Sequence, residues 1–409
     1  MTLLLKPNWQ GGMSVGYTFN TDIITSRNGS ETRSALIYDP RITTQFSTWF
    51  SDEDAECLQA QLDTGVSETF YVPDPVREAV LSADLPVGID QVTLVTTPDW
   101  VVEGASVLLT NPDGYFEHRT VQSVAGLLID FVEIGDVTFV AGAQMCGAFP
   151  VISQSSFSAV WLTAGVLEAD LKLRVLPGTD ELYDPAAWSE TLDGTPVFDI
   201  RPNWIDPSKI TIASNADIND FNRGVIGVND FRGFPTQVTS WTYSGINVTE
   251  VQKIIDFFRL MKGMRGTFHI PSWASDLTPI TGVVSGGNEL GVSGRCSYET
   301  YRDMAYNNGI TLTLRDGTLV HRRLASITAF NNSTGWGYDW GNNYGGVDAD
   351  PNTLLTIEGT WPADIDMSDI LKISWLRKSR FAKDTLSVNY VTAHVADIAV
   401  SIRSLRDDI

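Results

Sequence analysis

Apolar and polar residues alternate along several stretches of this chain, which is the pattern of β-strands with one buried face. Residues 44–50 and 237–243 place β-branched or aromatic side chains between polar ones. Residues 169–175 and 398–402 alternate in the same way near the ends of two longer segments. The hydrophobic pattern therefore predicts a mainly β protein.

Turn motifs separate further predicted strands. Asn111-Pro112-Asp113-Gly114 lies between apolar runs at 107–109 and 115–124, and Arg315-Asp316-Gly317 lies between runs at 310–314 and 318–327. Such residues favour tight turns because proline fixes φ, aspartate bonds the nearby backbone and glycine accepts positive φ. Short strands with a turn about every 8–12 residues indicate small sandwiches or barrels.

Two short helices interrupt this pattern. Ser51 with Asp54, and Asn247 with Glu250, have the N-cap to N3 spacing of a capping box. Apolar residues follow at helical spacing: Cys57, Leu58 and Leu62 in the first segment, and Val251, Ile254, Ile255 and Phe258 in the second. Each helix is expected to end at a glycine, Gly65 or Gly263. A strand then follows, at 70–72 or 268–270, which a proline is expected to close.

The chain also resembles itself. Lys6-Pro7-Asn8-Trp9 recurs as Arg201-Pro202-Asn203-Trp204, 195 residues further on. Three later blocks recur in the same order at slowly increasing offsets, as one duplication followed by loop insertions would produce. They are Thr69-Phe70-Tyr71-Val72-Pro73 with Thr267-Phe268-His269-Ile270-Pro271, His118-Arg119 with His321-Arg322, and Thr163-Ala164 with Thr392-Ala393.

These observations predict two tandem duplicated halves, roughly 1–176 and 201–409. Each half is expected to hold a barrel- or sandwich-like tube module with one short packed helix, followed by a small all-β module. The expected boundaries are 1–80 and 81–178 for the first half, 179–200 for a linker, and 201–280 and 281–409 for the second half.

The charge of the chain disfavours two classes of binding partner, nucleic acids and anionic membranes. The 409 residues include 50 acidic and 28 basic side chains, a formal net charge of −22. Nucleic acid and anionic membranes bind lysine and arginine, so tight binding to either is not expected. No apolar run approaches the ~20 residues that span a bilayer, so no membrane segment is predicted. With 43% hydrophobic residues the chain is expected to be globular.

The residues that usually carry chemistry form no recognisable constellation. The three cysteines, Cys57, Cys146 and Cys296, are far apart and indicate neither a disulfide framework nor zinc. The four histidines are scattered, and no nucleophile accompanies the repeated pair His118 and His321. We therefore predict no catalytic residue, no metal and no cofactor, and a structural or recognition protein rather than an enzyme.

Two motifs come closest to a site. Gly12-Met13-Ser14-Val15-Gly16 fits the pattern of a hydrolase nucleophile elbow, but it precedes a strand-like stretch and is interpreted as a plain turn. Asp339, Asp348 and Asp350 could offer oxygens to calcium, yet their spacing fits no EF-hand loop.

The loop at 331–346 differs most between the halves. Its glycines and asparagines are interspersed with aromatics that provide contact area at low entropic cost, so it is a candidate contact loop. A long hairpin folded over its own module is the alternative. The candidate contact residues are Trp336, Tyr338, Trp340 and Tyr344.

Three features together resemble tail-tip proteins of long-tailed bacteriophages. They are the Pro-Asn-Trp motif near each start, the strand leading into an amphipathic helix, and Phe-His-Ile-Pro-Ser-Trp at 268–273. The chain is most similar to the distal tail and baseplate hub family, whose tube-like modules pack a helix against a β-barrel. This resemblance covers roughly 1–75 and 195–275.

The resemblance implies a virion protein at the phage tail tip, made in the host cytoplasm. It implies a ring that joins a six-fold tail tube to a three-fold tip and lets DNA pass, with the tube, hub and fibre proteins as partners. Three copies with two modules each would present six similar faces, which favours a homotrimer. A six-copy distal tail ring, a carbohydrate-binding adhesin using the aromatic loop, and a hydrolase using Ser14 are the alternatives.

Overall fold

The computed structural model describes residues 7–26, 28–51, 55–56, 69–153, 158–176, 188–213, 216–220, 222, 224, 226–230, 235–293, 308–329 and 352–405. Within these ranges the protein is mainly β, as predicted, and its strands pair in antiparallel fashion. None of the helices in these ranges is long and apolar enough to cross a membrane.

The first half contains twelve of the strands that the structure describes. They are β1 (Met13–Thr18), β2 (Thr21–Thr25), β3 (Glu31–Ala35), β4 (Arg41–Ser51), β5 (Phe70–Val80), β6 (Gln91–Thr93), β7 (Ser106–Thr110), β8 (Phe116–Ala125), β9 (Leu128–Phe131), β10 (Gln144–Ser153), β11 (Ser158–Thr163) and β12 (Val166–Val175).

The remaining elements follow from residue 188 onwards. They are β13 (Thr191–Leu192), β14 (Thr195–Pro196), β15 (Lys209–Ala213), β16 (Ala216–Asp220), β17 (Ile226–Asp230), β18 (Thr236–Asn247), helix α1 (Val248–Met261), β19 (Phe268–Pro271), β20 (Thr278–Pro279), β21 (Glu289–Ser293), β22 (Gly309–Leu314), β23 (Leu319–Ala329), β24 (Asn352–Ile357), β25 (Ile370–Phe381), β26 (Thr385–Thr392) and β27 (Val395–Ser404). Single 3-10 turns lie at Gly263–Arg265 and Met367–Asp369.

The strands bury the faces that the alternating pattern predicts. β4 and β12 alternate buried and more exposed side chains, with Phe46 and Phe50 on the inner face of β4. In β18 the inner face carries Trp241 and Tyr243. Burial at every second residue follows from the period of an extended chain, so the predicted strands at 44–50, 169–175, 237–243 and 398–402 are confirmed.

Both predicted hairpins of the second modules form. β7 and β8 pair across residues 111–114, where the Gly114 amide donates to the Asn111 carbonyl at 3.0 Å. β22 and β23 pair across residues 315–318. Gly114 and Gly317 have φ of 94° and 91°, which explains why glycine occupies both positions.

The helix predicted in the second half is confirmed as α1. The Asn247 side chain accepts a hydrogen bond from the Glu250 amide at 2.9 Å, which is the first contact of the predicted capping box. Its predicted apolar residues are all buried: Val251, Ile254, Ile255 and Phe258. The helix ends at Met261, and its C-cap residue Lys262, immediately before Gly263, has a left-handed φ of 52°.

The helix predicted in the first half lies largely outside the described residues. Ala55 and Glu56 are helical, but Asp54, Cys57, Leu58, Leu62 and Gly65 fall in the ranges that the structure does not describe. This prediction therefore stays a prediction.

The expectation that proline closes both following strands is right for only one of them. β19 ends at Pro271, whereas β5 continues through Pro73 to Val80. Between Cys146 and Ala148 the pairing of β10 with β5 shifts its register, so Pro73 lies beside an irregular part of the ladder. Proline is tolerated next to such bulges because a regular ladder bond is already missing there.

Strand pairings follow the same scheme in both halves. In the first half, β1, β4, β12, β10 and β5 pair in that order, and β10 also leads through β7, β8 and β9 to β6. In the second half, β15, β18, β27, β25 and β19 pair in that order, and β25 leads through β22, β23 and β24 to β21.

The expected barrels do not form: 21 of the described strands make one large antiparallel sheet, the other six make three two-stranded sheets, and none of these sheets is a closed barrel. Two features keep the sheet open. β10 pairs with β7 near its start and with β12 near its end, so the sheet continues from one module into the next. β1 pairs with β4 on one side and with β26 of the other half on the other, so it extends the sheet across the two halves.

Three hydrophobic clusters make up the core. The central cluster combines β1, β4 and β12 of the first half with β18, β26, β27 and α1 of the second. Two smaller clusters belong to the second modules, one around Leu109 and Phe131 and one around Leu312 and Trp375. Val197 and Phe198 are fully buried, so the end of the segment expected as a linker, 179–200, is part of the fold.

Candidate functional site

The candidate contact residues lie outside the described part of the chain. Trp336, Tyr338, Trp340 and Tyr344 fall in the range 330–351, as do Asp339, Asp348 and Asp350. The contact loop therefore stays a prediction. Among the described residues, no group of three or more His, Cys, Asp or Glu side chains could hold a metal ion.

The Ser14 motif is not the turn that the sequence analysis expects. Ser14 is the second residue of β1, opposite Gln45 on one side and Asn389 on the other. Its hydroxyl lies 3.3 Å from that of Ser387 on β26. A nucleophile elbow needs a sharp turn between a strand and a helix, so this motif does not have the geometry of one.

The repeated histidines contact hydroxyl groups on neighbouring strands. The Nε2 atom of His118 lies 2.7 Å from the Ser106 hydroxyl, and its ring stacks on Tyr71 at 3.7 Å between centroids. The Nδ1 atom of His321 lies 2.9 Å from the Thr311 hydroxyl. Both imidazoles therefore have partners within their own sheets.

Burial favours the neutral form of both histidines. It lowers the pKa of His118, against the opposing effect of Glu133. It also lowers the pKa of His321 to about 4, with His269 and Arg322 adding to the shift. Both rings are consequently neutral near pH 7, since the desolvated interior disfavours the imidazolium.

Polar and apolar contacts both join the two halves of the chain, and this junction begins with β1 and β26. The pairing runs from Met13 opposite Tyr390 to Thr18 opposite Thr385. Its inner face is almost completely excluded from solvent. The six residues concerned, all at most 5% exposed, are Met13, Val15, Tyr17, Leu386, Val388 and Tyr390.

A hairpin extends this junction. β2 and β3 pair with each other and place Glu31 against the second half. The Glu31 carboxylate accepts from the Arg380 Nε at 2.7 Å, and both side chains are 3% exposed. Arg403 lies 3.5 Å from the same carboxylate. Burial alone would raise the pKa of Glu31, but the hydrogen bond and charge of Arg380 outweigh it, so the pKa lies below its ordinary value.

Two more polar contacts fix the hairpin. Arg33 donates to the Thr267 hydroxyl at 2.7 Å, close to the end of α1. The Asp384 carboxylate accepts from the Thr21 amide at 2.7 Å and from the Met264 amide at 2.8 Å. Because one carboxylate joins both halves, the position of the hairpin is coupled to that of the helix.

A cleft of about 580 Å³ lies beside the same junction. Its walls include Trp9, Ser14, Asp170 and Asn389. The Pro-Asn-Trp segment forms one side through a local turn, in which the Asn8 side chain accepts from the Gln10 amide at 3.1 Å. Asn203 accepts from the Ile205 amide in the same way at 3.4 Å, so the repeated motif makes the same kind of turn twice.

Two strands expose an edge instead of forming a junction. Among the described residues, β11 pairs only with β12, and β15 pairs only with β18. All residues of both strands are exposed. Several of them are large and apolar: Val160, Trp161 and Leu162 on β11, and Ile210 and Ile212 on β15. An unpaired edge with apolar side chains is suited to pairing with another chain.

The sequence analysis did not single out these edges. The run Val160-Trp161-Leu162 and the alternation at 209–213 are the only signals, and both are typical of ordinary strands. Which edges are free depends on the pairing of strands that are far apart in the chain.

No known protein-family model matches this chain, and no curated protein matches it significantly. The resemblance to phage tail-tip proteins therefore depends on the sequence motifs of this chain alone.

Proposed function

We propose that this chain is a structural protein of a phage tail tip, which forms a baseplate hub or distal tail ring between a six-fold tube and a three-fold tip. One observation carries this proposal: the strand-pairing scheme of 13–175 recurs at 209–404, and the two sets meet edge to edge at β1 and β26. A chain that presents two similar modules side by side can match a ring of higher symmetry with fewer copies.

The recurrence supports descent of both halves from one duplicated unit. Gly16 lies opposite Thr43, and Thr211 lies opposite Val238, so both partners are displaced by the same 195 residues as the Pro-Asn-Trp motif. The offset between the repeated motifs and the offset between the paired strand residues are independent measurements. Both are 195 residues, which is what a duplication would leave.

The proposed role requires an assembly surface rather than a catalytic one. The inner face of the junction is apolar, and the exposed edges of β11 and β15 are apolar as well. A net charge of −22 favours passage of DNA without adhesion, because like charges repel.

Quantitative mass spectrometry and imaging of purified virions test this proposal. We expect the chain at three copies per particle, six for a distal tail ring, and antibodies against it at the tail tip. Absence of the chain from virions, or a location on the head, would contradict the proposed function.

A further inference from the structure

We infer that copies of this chain join head to tail, with β15 of one copy paired with β11 of the next in the register that β1 and β26 use inside the chain. The partner is a second copy of this chain. The choice of the two edges depends on strand geometry. The closure of three copies into a ring rests on the proposed function.

The first step is the correspondence between β15 and β1. Each lies next to the long strand that precedes the helix position of its half, β18 or β4. Thr211 lies opposite Val238 as Gly16 lies opposite Thr43. The far side of β1 is covered by β26, whereas β15 has no second ladder partner among the described residues.

The second step is the correspondence between β11 and β26. Thr163 lies opposite Val166 on β12, and Thr392 lies opposite Val395 on β27. Each pairing has one register shift, immediately before that threonine. The two strands therefore correspond residue by residue, but the described residues give β11 no counterpart of the second partner that β26 finds in β1.

Transferring the internal register gives the contacts between copies. Gly16 lies opposite Ser387 and Val15 opposite Val388 inside the chain. The corresponding pairs are Thr211 with Ser158 of the next copy, Ile210 with Ala159, and Lys209 with Val160. All six of these side chains are exposed in the single chain, so nothing in the described part covers the surface they form.

Residues that are buried at the junction of β1 and β26 have exposed counterparts on β15 and β11. Val15 and Tyr390 are 1% exposed where β1 meets β26. Their counterparts are Ile210, 55% exposed, and Trp161, 54% exposed. Ile212, at 65%, corresponds to the buried Tyr17. Large apolar side chains at positions that are buried in one junction and exposed in the other indicate a second junction.

The second hairpin gives independent support. β16 and β17 pair with the same register as β2 and β3, again 195 residues apart. β2 and β3 contact the neighbouring half through Glu31 and Arg33. At the corresponding positions Ile226 and Val228 are 58% and 61% exposed. A neighbouring copy that covers β15 would be placed to cover this hairpin too.

The proposed contact joins two different edges of the chain, and this difference determines how the copies assemble. β15 and β11 belong to opposite halves, so their pairing is heterologous and leaves one free edge of each kind on a dimer. Such contacts close into a ring when the rotation divides a full turn. Three copies would then contain three internal and three intermolecular junctions of the same kind.

The first test replaces two apolar residues of the β15 edge with acidic ones. In Ile210→Asp with Ile212→Asp, the apolar strand pairing would bury two carboxylates, so we expect association to weaken at least about 100-fold. Mass photometry and light scattering should show rings for the wild type and monomers for the variant. Val284→Asp is the matched control, because Val284 is 69% exposed on a different module. Circular dichroism should show the same fold in all three proteins.

A mixed disulfide tests the register and the polarity. Opposed residues on antiparallel strands have Cβ atoms close enough for a disulfide. We expect Thr211→Cys and Ser158→Cys proteins to form a covalent dimer when mixed and oxidised, and neither to form one alone. The wild type reports any contribution from its own cysteines. No mixed dimer, or dimers of one variant with itself, would overturn the inference.

The outcomes separate this inference from the proposed function. If the wild type and the Ile210→Asp with Ile212→Asp variant form the same ring, the edge assignment is wrong while the proposed function stands. If the mixed disulfide forms but virions lack the chain, the edge assignment stands and the proposed function fails. A wild type that stays monomeric at every soluble concentration overturns the inference.

Discussion

At the scale of single residues, buried charged and titratable groups couple the halves to each other and to pH. Glu31 and Arg380 are almost fully buried and bonded at 2.7 Å, although they are 349 residues apart. Removing one partner of a buried ion pair leaves the other charge desolvated and uncompensated, which costs more than the pair itself contributes. Neither residue stands out in the sequence.

The first prediction concerns Glu31→Gln. We expect the free energy of unfolding at pH 7 to fall by about 3 kcal/mol, because Arg380 keeps its burial and loses its counter-charge. The pKa of Glu31 is lowered in the folded chain, so the contribution of the pair is complete above the ordinary carboxyl pKa and is lost as the pH falls through the folded value. Urea unfolding at several pH values should show less acid sensitivity in the variant. Glu103→Gln, at an exposed carboxylate, should change neither quantity.

The second prediction concerns His321→Gln. The pKa of His321 falls from its ordinary 6.5 to about 4 on folding, chiefly through burial. Between these values the unfolded chain binds a proton that the folded chain does not, so stability decreases as the pH falls from 6.5 towards 4. We expect this decrease to be smaller in the variant when thermal unfolding is followed across that range. The same decrease in wild type and variant would contradict the role of burial. His394→Gln, at an exposed histidine, is the control.

At the scale of elements, the 14-residue helix α1 packs against both halves. The Phe258 ring lies 5.0 Å from that of Phe381 on its own half and 5.6 Å from that of Phe19 on the other. One helix therefore packs in the core that both halves share. Its position and capping follow from local sequence, whereas its contact with Phe19 does not.

The third prediction concerns this helix face. Ile254→Ala or Phe258→Ala should lower the free energy of unfolding by roughly 2–5 kcal/mol, because each side chain is at most 1% exposed and truncation leaves a cavity. Lys253→Ala, on the exposed side of the same helix, should change it by less than about 0.5 kcal/mol. Denaturant unfolding measures both. A change below about 0.5 kcal/mol for the buried residues would mean that the helix does not pack in this core.

At the scale of the whole molecule, the halves share the central hydrophobic cluster and the large sheet. The central cluster takes residues from both, and β1 pairs with β26 along its full length. Separating them would expose the inner faces of both strands together with the apolar face of α1. The two smaller clusters are internal to their modules, so they are less affected.

The fourth prediction concerns fragments 1–187 and 188–409. Expressed alone, each should aggregate or unfold without cooperativity, because the shared cluster is incomplete and a strand edge is free. Expressed together, they should copurify as one complex with the circular dichroism spectrum of the intact chain. Size-exclusion chromatography checks both. A fragment that folds alone as a stable monomer would show that the halves are energetically independent.

Features that depend on residues close together in the chain follow from the sequence alone. Alternation fixed the faces of β4, β12, β18 and β27, glycines fixed the turns at 114 and 317, and Asn247 fixed the start of α1. These features follow from backbone period and local hydrogen bonding. The self-resemblance of the chain predicts a duplication, which stays a prediction.

The pairing of strands across the halves depends on the three-dimensional arrangement. The sequence predicts separate barrel- or sandwich-like modules, but β1 joins β26 and the sheet forms no closed barrel. Alternation shows that a strand has a buried face, yet it does not identify the neighbour at either edge, because ladder bonds join backbone groups present in every sequence. For the same reason, the exposed apolar edges of β11 and β15, each with one ladder partner among the described residues, are visible only in the strand pairings.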